Sequence, residues 1–328
     1  MTDPDRMSTA PRVAAVVVTY NRKALLRQCL AALQEQTCPL AEIIVIDNAS
    51  ADGTAEMVEA EFPDVTLQAL DENRGGAGGF HEGMRLAAER DVDWIWVMDD
   101  DAEPAPDALK KLFASGLHRR EDTVGLVPLR TNPDGTMQRG SAGHYDPFRM
   151  TYRRVSSTGS ATEPVSYATF VGLMVRRATV RRIGLPEAGY FIRGDDNEYV
   201  YRLSQNGHVY LIRDSVVVHH DAMESKQTAT SLWERASADR PIDSYWRVYY
   251  SLRNKLLTAQ RHAKTPAQRW RGYASGALRL LRRAGAALAF DSHKCVRLRV
   301  LAQAFWDGVR GRQGKRYDPK HFPHRRTS

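Results

Sequence analysis

Residues 13–22 read VAAVVVTYNR, a short apolar run that ends abruptly in polar side chains. The run is continuous and β-branched, which is typical of a strand buried on both faces of a sheet. Glu42–Ile46 and Trp94–Met98 show the same pattern, and helical repeats of apolar residues separate the three runs. Strands and helices that alternate over residues 13–115 predict an α/β fold of right-handed βαβ units with a parallel sheet.

Polar clusters follow these strands at the points where the strands end. TYNR occupies 19–22, DNAS occupies 47–50 and DDD occupies 99–101. In open α/β sheets, ligands bind in the crevice at the carboxyl ends of the strands. The sequence therefore predicts a nucleotide-type site at this edge of the sheet.

The run Asp99-Asp100-Asp101 places three carboxylates at the end of an apolar strand, where they would repel one another. A divalent cation removes that cost, and oxygen ligands of this kind suit Mg²⁺ or Mn²⁺. The alternative is a solvated loop that caps a helix beginning near Pro104. His219 and His220 follow a short predicted strand, Val216–Val218. A histidine here is a candidate nitrogen ligand for the same ion, or alternatively a packed or capping residue.

Two further segments carry candidate functional groups. Asn73–Gly79 reads NRGGAGG before a helix predicted over 80–89, so its backbone allows close approach of an anionic ligand. It matches neither GxGxxG nor a P-loop. Gly194–Glu198 reads GDDNE at the start of a helix predicted over 195–205. A carboxylate in this segment is a candidate general base, or alternatively the N-cap of that helix.

The charge of the chain is unevenly distributed. The net charge is +8, but residues 261–328 contain 17 Lys and Arg against 3 Asp and Glu. Three amphipathic helices are predicted from residue 245 onward, over 245–261, 266–290 and 293–309, and arginines interrupt every apolar stretch. Such helices cannot span a bilayer but are able to lie on one. The asymmetry indicates an anionic partner, either a nucleic acid or a membrane surface.

The composition of the chain sets its class and organisation. Of the 328 residues, 42% are hydrophobic, so a globular chain is expected and a disordered one is excluded. The three cysteines form no CxxC pair, which argues against a disulfide framework or a zinc site. The polar N-terminus shows no signal peptide, and a cytoplasmic protein is expected. We predict a flexible N-terminus over 1–12, a catalytic domain over 13–240 and a basic helical region over 241–328.

The order TYNR, DNAS, NRGGAGGF, MDDD, GDDNE, VVHHD and YYSLRN resembles family 2 glycosyltransferases of the GT-A fold. This resemblance implies a Rossmann-like α/β fold with a mixed, mainly parallel sheet flanked by helices. Within that family it is similar to galactofuranosyltransferases and rhamnosyltransferases of bacterial cell-wall synthesis. The resemblance covers about residues 13–260. One departure is Gly194, since the family often has tryptophan before the paired aspartates, and this puts the acceptor-side contact in doubt.

The resemblance implies a role for each matching residue. Asp196 resembles the catalytic base, and Asp195 would aid placement of the substrates. Asp99, Asp101 and His220 would hold the metal, with His219 as an alternative to its neighbour. Arg253 and Asn254 match a further family element. The residues implied in nucleotide and donor binding are Thr19, Asn21, Arg22, Asp47, Asn73, Gly75, Gly76 and Asp100.

The resemblance also implies an activity, namely inverting, Mn²⁺- or Mg²⁺-dependent sugar transfer from a sugar nucleotide. Galactofuranose from UDP-galactofuranose is favoured, with dTDP-rhamnose as the alternative donor. The implied acceptor is a polyprenyl-diphosphate-linked glycan at the inner face of the cell membrane, where the basic region would attach the protein peripherally. A nucleic-acid-binding or membrane-binding protein without catalysis is the rival class, but few aromatics accompany the arginines, and the acidic clusters would repel nucleic-acid phosphate.

Overall fold

A computed structural model describes residues 10–138, 140–220 and 241–318, together with Phe322. Most of the predicted flexible N-terminus therefore lies outside the described residues. The strands are β1 Val13–Thr19, β2 Glu42–Asp47, β3 Thr66–Ala69, β4 Trp94–Asp99, β5 Ala102–Pro104, β6 Thr123–Thr131, β7 Ala142–Asp146, β8 Thr151–Arg154, β9 Thr162–Val165, β10 Tyr167–Ala168, β11 Leu173–Arg176 and β12 His208–His219. The helices are α1 Lys23–Gln34, α2 Thr54–Glu61, α3 Gly75–Glu89, α4 Ala108–Ala114, α5 Arg177–Ile183, α6 Asp195–Ser204, α7 Trp246–His262, α8 Pro266–Phe290 and α9 Lys294–Val309.

The central sheet has nine strands in the order β3-β2-β1-β4-β11-β6-β12-β5, and β9 also pairs with β12. Strands β3, β2, β1 and β4 are parallel, as the alternating pattern predicts. Strand β11 then inserts antiparallel between β4 and β6. Apolar side chains cover both faces of the sheet in two core clusters. The predicted mixed α/β sheet with flanking helices is confirmed.

The glycine-rich segment is the first helical turn and a half rather than a loop. Helix α3 begins at Gly75, whereas the sequence predicted a start at Phe80. Glycines allow this helix to pack closely against β1. A Cβ atom at Gly79 or Gly83 would lie 2.4 Å from the Cγ1 atom of a valine of that strand. Close packing on the sheet therefore outweighs the low helix propensity of glycine.

Three other predicted boundaries differ in the structure. Pro104 ends strand β5, which pairs antiparallel with β12, and the following helix starts only at Ala108. The apolar pattern of residues 167–175 favours a single strand, but the structure has two strands there, and they belong to different sheets. The pattern also favours separate strands over 209–212 and 216–218, whereas the structure has one continuous strand, β12, with a register irregularity between Ile212 and Val216.

The C-terminal helices pack against one another and onto the part of the chain that contains the sheets. Their predicted positions are confirmed within two residues, and Thr265 and Gln268 form a capping box at the start of α8. Buried aromatic residues of α7 share one core cluster with Met150 and Phe191. Among the described residues, no helix is long and apolar enough to cross a membrane.

Candidate active site

The site begins where three neighbouring parallel strands end. In the register of the sheet, Thr19 pairs with Asp47, and Val18 pairs with Asp99. The carboxyl ends of β1, β2 and β4 therefore meet at one edge, as the polar clusters predict. The Thr19 hydroxyl donates a 2.8 Å hydrogen bond to Asp100, which ties the first cluster to the third.

Arg22 neutralises part of the acidic run. Its guanidinium lies 2.6 Å from a carboxylate oxygen of Asp101 and 3.2 Å from one of Asp100. Both carboxylates are buried, so the alternative interpretation as a solvated capping loop is wrong. Burial raises the pKa of Asp100 to about 6, although Arg22 and Thr19 oppose the shift.

Asp99 and Asp101 ionise differently because Asp101 forms the ion pairs with Arg22 and His219. Burial and the neighbouring Asp101 charge raise the pKa of Asp99 to about 8, although the charge of His219 opposes the shift. Burial also disfavours the Asp101 carboxylate, yet its hydrogen bond to His219 and the charges of His219 and Arg22 lower its pKa overall. The charge of Asp99 is therefore the less compensated of the two.

The structure brings His219, rather than the predicted His220, to these carboxylates. Ligand atoms of Asp99, Asp101 and His219 all lie within 4.8 Å of one another. His220 points instead to Glu103, with 2.7 Å between its Nε2 and a Glu103 oxygen. Successive side chains of a strand point to opposite faces, so only one of the two adjacent histidines reaches the cluster.

Gln138 sets the orientation and tautomer of His219. Its amide nitrogen donates to the His219 carbonyl at 3.0 Å, which turns its amide oxygen toward the ring Nδ1, also at 3.0 Å. Nδ1 must then carry the proton, because the amide oxygen only accepts. Nε2 then lies 3.1 Å from an Asp101 oxygen. A proton on Nε2 completes the hydrogen bond to Asp101, and a cation can take the place of that proton.

The second cluster, DNAS, organises the loops around the nucleotide edge. Asp47 is buried and accepts from the Ser50 backbone at 3.0 Å. Asn21, at a positive φ of 53°, accepts from the Ala51 backbone at 2.7 Å. Asn48, which the sequence analysis did not single out, donates to the Gly75 carbonyl at 3.0 Å. The first two strand ends are thereby fastened to the start of α3.

The start of α3 also contacts the loop that precedes the second acidic cluster. Asn73 accepts from the Gly75 backbone at 2.7 Å, and Ala77 donates to the Phe191 carbonyl at 3.1 Å. A Cβ atom at Gly75 would lie 1.9 Å from that carbonyl oxygen, whereas one at Gly76 would meet nothing within 4 Å. The first turn of α3 and the loop before GDDNE are therefore in direct backbone contact near Gly75.

The loop that delivers GDDNE has an unusual backbone conformation. Phe191, Arg193 and Gly194 all have positive φ, at 65°, 65° and 90°. Residues other than glycine pay a steric cost in this region, so surrounding contacts must hold the loop in place. Asn254 of α7 supplies them, because its amide nitrogen lies within 3.0 Å of the carbonyl oxygens of Tyr190, Ile192 and Arg193.

Arg253 extends this clamp from the neighbouring position. Its fully buried guanidinium donates to the carbonyl oxygens of Gly189 and Tyr190, and to that of Gly314 at 2.6 Å. Arg253 and Asn254, whose role the family resemblance left undefined, therefore position the loop before Asp195.

Asp195 and Asp196 begin α6 and lie near the first acidic cluster. Gly194 occupies the N-cap position and makes no side-chain cap, so the interpretation of either aspartate as the N-cap is wrong. Burial and the Asp196 charge raise the pKa of Asp195 to about 8, and burial also raises that of Asp196. Asp195 in turn helps to raise the pKa of Asp99 by its charge, so the two clusters interact electrostatically beside the cleft at the strand ends.

Asp196 faces a cationic and aromatic side of this cleft. One of its carboxylate oxygens accepts from the backbone and side chain of Asn197, at 2.6 and 2.7 Å. Within the described part of the chain, no hydrogen bond reaches the other oxygen, Oδ2. Arg130, Lys255 and Arg193 oppose the upward shift of the Asp196 pKa by their charge.

Lys255 is the least expected group near Asp196. Its ammonium lies 2.5 Å from the Tyr152 hydroxyl and 4.4 Å from the centre of that ring. Burial and the charge of Arg279 lower the pKa of Lys255 to about 7, and Asp196 opposes the shift. Nothing in the local sequence distinguishes Lys255 or Gln138, since each acts on a residue far away along the chain. The double histidine itself was the only sequence signal for His219.

Known proteins are similar to this chain in sequence and in fold. The profile of Glycosyl transferase family 2 matches residues 14–184. The galactofuranosyltransferase GlfT1 of Mycobacterium tuberculosis is 30% identical over 275 residues, 79% of this chain and 86% of that protein. The N-acetylglucosaminyl-diphospho-decaprenol L-rhamnosyltransferase of the same organism is 25% identical over 233 residues, 63% of this chain and 75% of that protein.

The fold is similar to the crystal structure of GalNAc-T7 with UDP, GalNAc and Mn²⁺, with a TM-score of 0.57 and 17% identity. The match covers 77% of this chain and 48% of that chain. A mixed sheet of this topology with carboxylates at its edge defines a glycosyltransferase of the GT-A fold. The chain belongs to glycosyl transferase family 2.

Proposed function

We propose that this enzyme transfers a sugar, with inversion, from a UDP-sugar to a hydroxyl of a polyprenyl-diphosphate-linked glycan. The observation that carries the proposal is the cluster of Asp99, Asp101 and His219, whose ligand atoms lie within 4.8 Å of one another at the strand ends. Asp195 of the second acidic cluster interacts electrostatically with Asp99. The similarity to a galactofuranosyltransferase favours galactofuranose as the sugar.

Asp99, Asp101 and His219 would hold a divalent cation, Mn²⁺ or Mg²⁺. Their donor set fits, since ligand atoms of the two carboxylates and the His219 ring lie within 4.8 Å of one another, and burial with the Asp101 charge disfavours the Asp99 carboxylate when no cation is bound. When bound, the ion would stabilise negative charge on the leaving diphosphate. The crystal structure of the related fold contains Mn²⁺ and UDP, which agrees with this assignment.

The nucleotide would lie against the ends of β1 and β2. Buried Asp47 offers a carboxylate to the uracil or ribose, and Thr19 and Asn21 border the same space. Arg22 is half-exposed beside Asp100 and Asp101, so its guanidinium is placed to contact the diphosphate. Asn73, Gly75 and Gly76 bring the first turn of α3 to the donor.

Asp196 would act as the general base. Its Oδ2 takes the proton of the acceptor hydroxyl, while Asn197 holds the other oxygen in place. Burial raises its pKa, which makes the carboxylate a stronger base near neutral pH. The hydroxyl oxygen then attacks the anomeric carbon on the face opposite the diphosphate, so the configuration inverts. Asp195, with a pKa raised to about 8, would hold a proton and hydrogen-bond a substrate.

Asp196→Asn tests the base directly. The variant is expected to lose transfer by a factor of about a thousand or more, because the amide cannot accept the proton. Calorimetric binding of UDP with Mn²⁺ is expected to stay unchanged. Turnover at the wild-type rate in this variant would remove Asp196 from the mechanism.

The rhamnosyltransferase similarity supports dTDP-rhamnose as a second candidate donor. Calorimetry with UDP, dTDP and GDP, each with and without Mn²⁺, separates the two. Metal-dependent binding that prefers UDP supports the galactofuranosyl assignment, and a preference for dTDP transfers the assignment to rhamnose. Absence of nucleotide binding would contradict the proposed function.

The basic region would hold the enzyme at the inner face of the cell membrane. Residues 261–328 carry a net charge of +14, from 17 basic and 3 acidic residues. Each basic residue near an anionic bilayer contributes about 1 kcal/mol of attraction. This location would bring the active site to a lipid-linked acceptor, whereas a nucleic-acid partner is not favoured.

A further inference from the structure

Helix α8 carries an apolar stripe on its outward side. The large side chains of this stripe are Trp270, Leu278, Leu281 and Leu288, which are 71%, 48%, 67% and 51% exposed. At 3.6 residues per turn, these four side chains and the exposed small residues Ala274 and Gly285 fall within an arc of about 80° around the helix axis. The stripe is about 27 Å long. The full outer stripe consists of Trp270, Ala274, Leu278, Leu281, Gly285 and Leu288.

The opposite side of α8 fixes the stripe in its outward position. Gly272 and Gly276 are buried against α7, where added Cβ atoms would lie 2.7 Å from Ala259 and 2.5 Å from Leu256. The helix therefore packs by close approach of its backbone and has no room to rotate. The outer stripe cannot turn inward to join the core.

Charge selects a partner for this surface. Helix α8 contains five arginines and no acidic residue, and exposed Arg271 and Arg282 adjoin the outer stripe. A second copy that docked through the same stripe about a twofold axis would bring one arginine-rich helix against another. An anionic bilayer instead offers headgroups for the arginines and acyl chains for the leucines.

The same helix reaches the acceptor side of the active site. Arg279 donates to the Met150 carbonyl, and its charge helps to lower the pKa of Lys255. Lys255 in turn interacts electrostatically with Asp196. The helix that carries the outer stripe is thus also a neighbour of the proposed base.

We propose that α8 lies in the headgroup region of an anionic bilayer with its outer stripe inserted among the acyl chains. Arg271 and Arg282 then contact lipid phosphates beside the stripe. The inference deepens the membrane association proposed above by adding insertion to charge attraction, and it rests on that proposal only for the choice of partner. It does not depend on which sugar is transferred.

Flotation with vesicles of phosphatidylglycerol and phosphatidylcholine tests the insertion. The full-length protein is expected to bind at low salt and to keep a bound fraction in 1 M NaCl, where charge attraction is screened. The triple variant L278Q/L281Q/L288Q, which preserves net charge, is expected to lose the salt-resistant fraction, about tenfold or more in partitioning. The matched control R271Q/R282Q is expected to bind more weakly at low salt and to retain the salt-resistant part.

Several outcomes would overturn the inference. One is complete release of the wild-type protein by 1 M NaCl, and another is unchanged flotation of the triple variant. If light scattering shows that this variant converts a dimer into a monomer without changing flotation, the stripe belongs to a second copy. Quenching of tryptophan fluorescence by brominated lipids gives a second measure of insertion. The Trp270→Phe variant is expected to lose most of this quenching, and quenching that persists in the variant counts against insertion.

Calorimetry of UDP with Mn²⁺ separates this inference from the proposed function. The triple variant is expected to bind UDP as the wild-type protein does, which also shows that it is folded. Loss of flotation together with intact UDP binding supports the insertion. Intact, salt-resistant flotation of a wild-type protein that fails to bind UDP would reject the proposed function and leave the insertion standing.

Discussion

At the scale of single residues, the Gln138 amide controls the chemistry of the acidic cluster. Its nitrogen is committed to the His219 carbonyl, so its oxygen fixes the proton of the ring on Nδ1. Partners of this kind commonly orient metal-binding histidines and raise their affinity. The neighbouring His220 faces the Glu103 carboxylate instead, away from Asp99 and Asp101.

Gln138→Leu is accordingly expected to weaken Mn²⁺ binding about 10-fold to 100-fold, because the imidazole loses its fixed tautomer and orientation. His219→Gln is expected to do so at least as strongly. Titration of free Mn²⁺ by electron paramagnetic resonance measures the affinities. His220→Gln is the matched control, and loss of Mn²⁺ in that variant alone would return the ligand role to His220.

At the scale of elements, contacts to backbone carbonyls join α3, the GDDNE loop and α7. The first turn of α3 meets the loop at Gly75, and Asn254 of α7 holds it from the other side. The loop is therefore positioned by two helices that belong to distant parts of the chain. Its three positive φ angles are sustained by these contacts rather than by its own sequence.

Gly75→Ala is expected to destabilise the protein by about 2 kcal/mol or more. The added Cβ would overlap the Phe191 carbonyl, and φ at this position is +72°. Gly76→Ala is the matched control, because a Cβ there meets nothing within 4 Å and alanine favours the helix. Thermal unfolding compares the two variants, and equal stability would show that the close contact at Gly75 is unimportant.

Asn254→Ala is expected to lower kcat about tenfold or more while the affinity for UDP is retained, because the loop that carries Asp196 loses its clamp. The loss of donors to three buried carbonyl groups costs about 2 kcal/mol of stability. Steady-state kinetics and UDP calorimetry at a temperature where the variant is folded separate these effects. An unchanged kcat would limit Asn254 to a structural role.

At the scale of the whole molecule, the site contains carboxyl groups, such as Asp99 and Asp195, whose ionisation is made unfavourable by burial in the folded state. Burial raises the pKa of Asp195 to about 8, far above the value of about 3.9 for an unfolded aspartate. Such a group stabilises the fold fully below pH 4, and this contribution disappears as the pH rises through 8. The metal-free protein should consequently lose stability toward alkaline pH.

The melting temperature in EDTA is therefore expected to fall by several degrees between pH 5 and pH 9. Asp195→Asn is expected to flatten this decline, since the amide cannot ionise. Scanning calorimetry at several pH values gives both curves. An equally steep decline in the variant would assign the pH dependence to other groups.

The sequence allowed the parallel half of the sheet and the strand-end clusters to be predicted, because buried strands and polar ends leave a local pattern. The start of α3 was missed since that helix depends on packing against β1 rather than on propensity. The small sheet of β10, β7 and β8 was missed because its strands are short and one is exposed. Gln138 and Asn254 act through contacts more than 60 residues away, which no local spacing reveals.

Arg253 joins the loop before Asp195 to a segment that follows the last described helix. The same guanidinium binds Gly189 and Gly314, and the Tyr250 hydroxyl accepts hydrogen bonds from the backbone of Arg316 and Tyr317. Residues 314–317 thus support the loop that leads to the proposed catalytic carboxylates. A chain shortened to end before Gly314 would lack the carbonyl group that accepts a hydrogen bond from the buried Arg253 guanidinium. A chimera that takes its C-terminal region from a relative would also need that relative's loop before Asp195.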